Sequence, residues 1–276
     1  MLWPWLAWGQ PRVIVSIPPQ KAFVEAIAQE LVEVEVLVQP GENPETFTVS
    51  PRTLARISKA AVYFTIGVPM ESSLLPKLES NFPDILVVDT SMGIRKRSLE
   101  DHMHTAGSAE GEHKHTEDPH IWLSPGLVKV QLRHYLRALK ELLPDQADFL
   151  NENYQNFIEK LEAVDEELDK LLKDFQRFTV FVYHPAFGYF LDRYGLRQVT
   201  VELQGKQPSP KQLRYLIALA KEYGSKVIFV QPQFDRNSAR MLAKAIGGRV
   251  ESLDPLSENY LDNLRKMGET IADSYR

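Results

Sequence analysis

The chain has 276 residues, a formal net charge of -5 and no cysteine. That length exceeds what one hydrophobic core usually supports and points to two domains, while the lack of cysteine excludes disulfides, thiolate metal sites and a lipid-modified cysteine. The acidic balance, with no dense Lys/Arg run interleaved with aromatics, gives no support to nucleic-acid binding.

Residues 1–10 hold three of the four tryptophans but are too short to cross a bilayer, which takes ~20 residues. They read either as the tail of a secretion signal or as an N-terminal extension packed on the surface. From Arg12 to Ile17 a β-branched run predicts a strand, and Pro19 to Glu30 carries apolar residues at helical spacing. The alternation continues with a strand at Val32–Val38, a helix at Thr53–Lys59, a strand at Ala61–Ile66, a helix at Pro69–Glu79 and a strand at Ile85–Val88. Such alternation predicts a largely parallel sheet flanked by helices.

A looser stretch, 100–117, follows; it holds His102, His104, His113 and His115 among carboxylates. Ser124-Pro125 then opens a helix striped by Val128, Leu132, Tyr135, Leu136 and Leu139. From Asp145 to Phe175 apolar residues recur every three or four positions without Gly or Pro, predicting a helix of about 30 residues, ~45 Å long. Beyond it the scheme repeats: strands Phe178–Tyr183, Gln198–Glu202, Lys226–Val230 and Arg249–Leu253, and helices Pro185–Tyr194, Ser209–Tyr223, Arg236–Ile246 and one from Ser257. The expected fold is α/β: two lobes, each a four-stranded mainly parallel sheet flanked by helices, joined by one long rigid helix. The expected divisions are 1–143 for the first lobe, 144–175 for the connecting helix and 176–276 for the second lobe.

In open parallel sheets ligands bind at the carboxyl edge of the strands. Four metal-competent groups follow such strand ends: Glu45, His120, His184 and Asp254. Two imidazoles and two carboxylates can close a tetrahedral zinc shell if the halves face one another. No local two-histidine zinc signature supports them, so only topology would bring them together. For His184 the competing reading is a core histidine hydrogen-bonded near a helix start, and for Asp254-Pro255 it is ordinary turn chemistry.

Four segments carry a resemblance: DPHIWLSP at 118–125, YHPAFGYF at 183–190, PSPKQL at 208–213 and SLDPL at 252–256. Through them the chain resembles the metal-specific, zinc/manganese solute-binding proteins of bacterial ABC transporters, most closely the zinc-binding members. The resemblance implies two lobes joined by a long helix, with the metal held between them by His120, His184 and Asp254. Glu45 stands where the family usually has histidine, and an oxygen there is more acceptable to manganese or iron. It further implies a periplasmic or extracytoplasmic monomer, not an enzyme, that binds Zn2+ (alternatively Mn2+) and delivers it to a membrane permease. The histidine-rich loop then reads as a weak auxiliary metal collector. The rival readings are a manganese/iron carrier, a zinc-dependent hydrolase using Glu45 or Asp254 as base, and a surface adhesin. Neither a nucleophile elbow nor a metalloprotease helix supports the hydrolase.

Overall fold

The structure is a computed structural model describing residues 9–99, 117–202, 207–234 and 236–276. His102, His104, His113 and His115 lie outside the described residues, as does most of the N-terminal tryptophan segment.

Strands β1 (Arg12–Val15), β2 (Glu33–Val36), β3 (Val62–Thr65) and β4 (Leu86–Asp89) form one sheet in the order β2-β1-β3-β4, with every pairing parallel. Strands β5 (Thr179–Val182), β6 (Arg197–Thr200), β7 (Val227–Val230) and β8 (Arg249–Ser252) form a second parallel sheet, ordered β6-β5-β7-β8. The inner strands β3, β5 and β7 read VYFT, TVFV and VIFV and are buried throughout. The remaining strands β2, β4, β6 and β8 each carry exposed and half-buried positions. Continuous apolar runs are what a strand covered on both faces requires.

The helices between strands are α1 (Pro18–Ala28), α2 (Pro51–Ile57) and α3 (Pro69–Asn81) in the first sheet's segment, and α6 (Gly188–Arg193), α7 (Pro210–Glu222) and α8 (Asn237–Ala245) in the second's. In chain order α4 (Pro125–Leu142) and α5 (Ala147–Leu172) come between β4 and β5, and α9 (Tyr260–Asp273) is the last helix. Ser50 caps α2, its hydroxyl accepting from Thr53 N, so that helix starts before Thr53. Helix α6 starts later than the pattern predicts, because residues 184–187 turn first and Ala186 N bonds to His184 O. The long helix spans 26 residues, with the predicted ends taken up by the 3-10 turns Pro144–Gln146 and Lys173–Phe175.

The chain divides into two compact units. Unit 1 contains Met1–Ile94, Lys129–Lys160 and Leu256–Tyr260; unit 2 contains Arg95–Val128, Leu161–Pro255 and Leu261–Arg276. Helix α5 is tied differently in its two halves. In unit 1, Asn153 Nδ2 donates to Ile27 O and its Oδ1 accepts from Gln29 Nε2. In unit 2, Asp165 accepts from Tyr194 OH and Arg193 Nη2. Satisfying buried polar groups on a helix in this way fixes its rotation as apolar packing alone would not. In unit 1, Phe23 packs edge-on against Tyr260 and Tyr135. In unit 2, α7 and α8 share one core with β5 and β7, including Phe181, Leu216, Ile228 and Leu242.

Candidate metal centre

Two imidazoles meet in unit 2. The rings of His120 and His184 lie edge to face with centroids 5.3 Å apart, and both residues are buried. Each ring is held by a buried carboxylate. His120 Nδ1 is 2.7 Å from Asp118 Oδ1, which also accepts from His120 N at 3.0 Å. His184 Nδ1 is 2.6 Å from Glu202 Oε1. Asp118 is 2% exposed and Glu202 4%. An ionised carboxylate only accepts, so the proton belongs on Nδ1 of each ring and the lone pair falls on Nε2. This carboxylate–imidazole pairing orients metal-ligating histidines and raises their basicity toward the metal.

The elements placing these groups follow from the parallel sheet. Past β5 and β6 the ladder continues, with Val201 N bonded to Val182 O and Glu202 N to Tyr183 O, so Glu202 arrives beside His184. The segment after β7 supplies the rest. Gln231 Nε2 donates to His184 O at 2.8 Å, Phe234 stacks on the His184 ring with centroids 4.7 Å apart, and Gln233 Nε2 donates to Asp254 Oδ1 at 3.1 Å. Asp254 is anchored a second time by Asn263, whose Nδ2 donates to Asp254 O at 2.7 Å, and the next residue is held by Trp122, tilted against His120 at 5.1 Å, which donates its indole N–H to Pro255 O at 2.7 Å.

The described residues 95–99 and 117–128 precede the long helix yet group with unit 2, and a clasp explains why. Asp118 N bonds to Arg97 O, Arg97 N donates to Tyr189 OH, and Tyr189 OH donates to Asp118 O. The Arg97 guanidinium lies over the Tyr189 ring and pairs with Asp192 at 2.7 Å. It presses so closely on Gly188 that a Cβ there would collide with it. Burial pushes the Tyr189 phenol up to about 12, so it stays a donor at neutral pH. The base of the histidine-rich stretch, where Ser98 bridges Glu117, is thereby fastened to α6, the helix just beyond His184.

Of the four residues expected as primary ligands, the structure brings His120 and His184 together and tethers Asp254 within the same unit. Glu45 lies in unit 1, in the loop between β2 and α2, half-buried, with its backbone N–H donating to Asn43 Oδ1 at 2.9 Å. Among the described residues, no group of three or more His, Asp or Glu side chains stands assembled as a metal shell. Sequence reasoning missed Asp118, Glu202, Gln231, Gln233, Phe234 and Tyr189. The aspartate two residues before His120 and the polar residues ending β6 and β7 were available as signals.

The chain matches the family model described as zinc-uptake complex component A, periplasmic, over residues 13–274. A solved structure described as the crystal structure of ZnuA superposes with a TM-score of 0.88 at 35% identity, covering 96% of this chain and 99% of that one. The zinc-binding protein AdcA of Streptococcus pyogenes serotype M3 is 27% identical over 289 residues. That alignment covers 96% of this chain, which spans only 56% of the length of AdcA. The high-affinity zinc uptake system protein ZnuA of Bacillus subtilis is 26% identical over 279 residues, covering 95% of this chain and 87% of that protein.

Proposed function

We propose a function from the premise that the chain belongs to the periplasmic zinc-uptake complex component A family: outside the cytoplasmic membrane it captures Zn2+ and hands it to the permease of an ABC transporter. The observation that carries this reading is the His120–His184 pair, two adjacent imidazoles each fixed at Nδ1 by its own buried carboxylate. Nε2 of each ring is the atom assigned to the cation. Asp254 supplies an oxygen from its tethered loop.

Two outer carboxylates beside neutral imidazoles favour a dication and offset the cost of removing it from water. Nitrogen ligands also favour zinc over manganese, which lies low in the affinity order of divalent metals. Acid weakens capture, because protons compete with the metal for imidazole nitrogen. Release, not turnover, completes the cycle, and the carboxylates beside the histidines serve to hold the rings at Nδ1. A single copy provides every ligand, so the carrier works as a monomer. The stretch with His102, His104, His113 and His115 binds further metal weakly; deleting residues 102–115 lowers zinc stoichiometry under excess metal and leaves the tight site.

The test is metal content of protein purified without chelator, followed by competitive titration of zinc against manganese. Zinc bound at one tight site, with a rise in melting temperature and no hydrolytic turnover, is the expected result. Tight binding that survives loss of both imidazoles would sink the assignment.

A further inference from the structure

The charge of this chain is unevenly distributed. Residues 207–250 carry eight Lys/Arg against two acids, a net +6 inside a chain of -5, leaving -11 for the remainder. Helix α5 alone holds eight acids and two lysines.

The surplus lies largely on one face. In the order β6-β5-β7-β8, the connections from β6 to β7 and from β7 to β8 step in the same direction. Right-handed crossovers then put α7 and α8 on the same side of the sheet, where the two helices pack together over a common core. Their outward residues include Lys211, Arg214 and Lys221 on α7, and Arg240 and Lys244 on α8 with Arg236 at its start; all are exposed. None of Lys211, Arg214, Lys221, Arg240 and Lys244 forms an ion pair among the described residues. Elsewhere exposed cations do find acids, as Lys170 with Glu166 and Arg265 with Glu167. Arg236, Arg240 and Lys244 also follow one another at four-residue spacing, where like charges repel along a helix. Among the described residues no ion pair on Arg240 or Lys244 offsets that repulsion.

Three of the seven large apolar side chains exposed among the described residues stand on these same helices or at their ends: Tyr215 at 44% on α7, Tyr223 at 47% just past its last residue, and Met241 at 56% on α8. Cations mixed with exposed aromatic and apolar side chains on a two-helix face match the interfacial zone of a bilayer, where rings sit at headgroup level and ammonium and guanidinium groups meet phosphate. We infer that the outer face of α7 and α8 is a docking surface for an anionic phospholipid membrane. This rests on the reading of the chain as an extracytoplasmic carrier, since a protein that must find a permease gains by searching along the membrane. The acidic remainder is repelled by the same surface, so the charge distribution favours this face as the point of contact. A second copy docking its α5 face here would be heterologous and would propagate into open chains, which disfavours it as the occupant.

The full chain is sedimented with vesicles of phosphatidylcholine alone and of phosphatidylcholine mixed with phosphatidylglycerol, at low and raised salt. The expected result is binding only to the phosphatidylglycerol vesicles, weakened by salt. Each basic residue near such a surface contributes about fivefold, so Arg240→Glu with Lys244→Glu lowers partitioning at least about 25-fold. The control pair Lys160→Glu with Lys170→Glu makes the same net charge change on α5 and leaves partitioning within about twofold. Equal losses in both pairs, binding to neutral vesicles, or no vesicle binding would each overturn the proposal. So would salt-sensitive self-association abolished by the α8 pair in the absence of vesicle binding. Zinc titration of the same proteins separates the two claims. Vesicle binding by a chain that takes no zinc upholds the surface and removes the carrier reading; zinc binding without vesicle binding does the reverse.

Discussion

The carboxyl edges of the two sheets have the same topology and opposite chemistry. Each sheet reverses its winding between its first and third strands, the place where open α/β sheets bind ligands. In unit 1 this place is filled from within. Glu71, 3% exposed, accepts hydrogen bonds from Ser16 Oγ just past β1 and from Ile66 N and Gly67 N just past β3. Tyr63 OH and Gln20 extend the network, Gln20 accepting from Ser16 N and Ile17 N and donating to Phe64 O and Tyr135 OH. In unit 2 the corresponding strands end in His184 and Gln231, which bond to each other through the His184 backbone and present an imidazole. The two edges differ in whether a side chain from the next helix plugs the gap: Glu71 does so in unit 1, and in unit 2 the gap presents the His184 imidazole.

Replacing the imidazole tests the ligand edge most severely. His184→Gln keeps a donor for Glu202 but removes the ring nitrogen. Zinc affinity should fall by more than about 100-fold, beyond what loss of an outer-sphere partner costs, as read by competition with a chromophoric chelator. Retained affinity would mean that unit 2 does not use this edge for metal.

The sealed edge has its own signature. Burial raises the Glu71 carboxyl from its ordinary 4.5 to about 7, against the hydrogen bonds from Ser16, Ile66 and Gly67 that lower it. A folded-state value above the unfolded one means that the protonated form favours folding. The contribution is therefore full below pH 4.5, falls as pH rises, and is lost above about 7. It is worth roughly 3 kcal/mol across that window. Urea unfolding of the wild type and Glu71→Gln between these limits should show the wild type losing stability relative to the variant as pH increases. A constant difference would show that the plug does not titrate there.

Substitution of the outer carboxylates gives a smaller effect. Glu202→Gln and Asp118→Asn should each weaken zinc binding about 10- to 100-fold. Because the amide can still meet Nδ1, melting of the zinc-free protein should change less than that of the zinc-loaded protein. Equal changes in both states would assign these carboxylates to folding alone.

Much of this was legible in the sequence. The strand-helix alternation, the long helix and the two histidines at strand or motif ends followed from periodicity and turn chemistry, and boundaries shifted by a few residues where a cap such as Ser50 or a turn such as residues 184–187 intervened. The partners of the histidines were less legible. Glu202 reaches His184 because β6 lies beside β5, and that pairing across 18 residues leaves no local pattern. The grouping of residues 95–99 and 117–128 with unit 2 was illegible too, because it depends on one phenol threading between two backbone segments.

That phenol gives the smallest of the expected effects. Tyr189→Phe preserves the ring beneath Arg97 but deletes the hydroxyl that accepts from Arg97 N and donates to Asp118 O. Leaving those two groups without their partner should cost about 1 to 2 kcal/mol in unfolding experiments. The backbone of Asp118 leads straight to His120, so loosening it also loosens the His120 side of the imidazole pair, and zinc should dissociate faster while its association rate is unchanged. A variant that loses stability with no change in dissociation would mean that Asp118 and Trp122 alone hold His120 in place, and that the clasp serves only to fasten the stretch before it to α6.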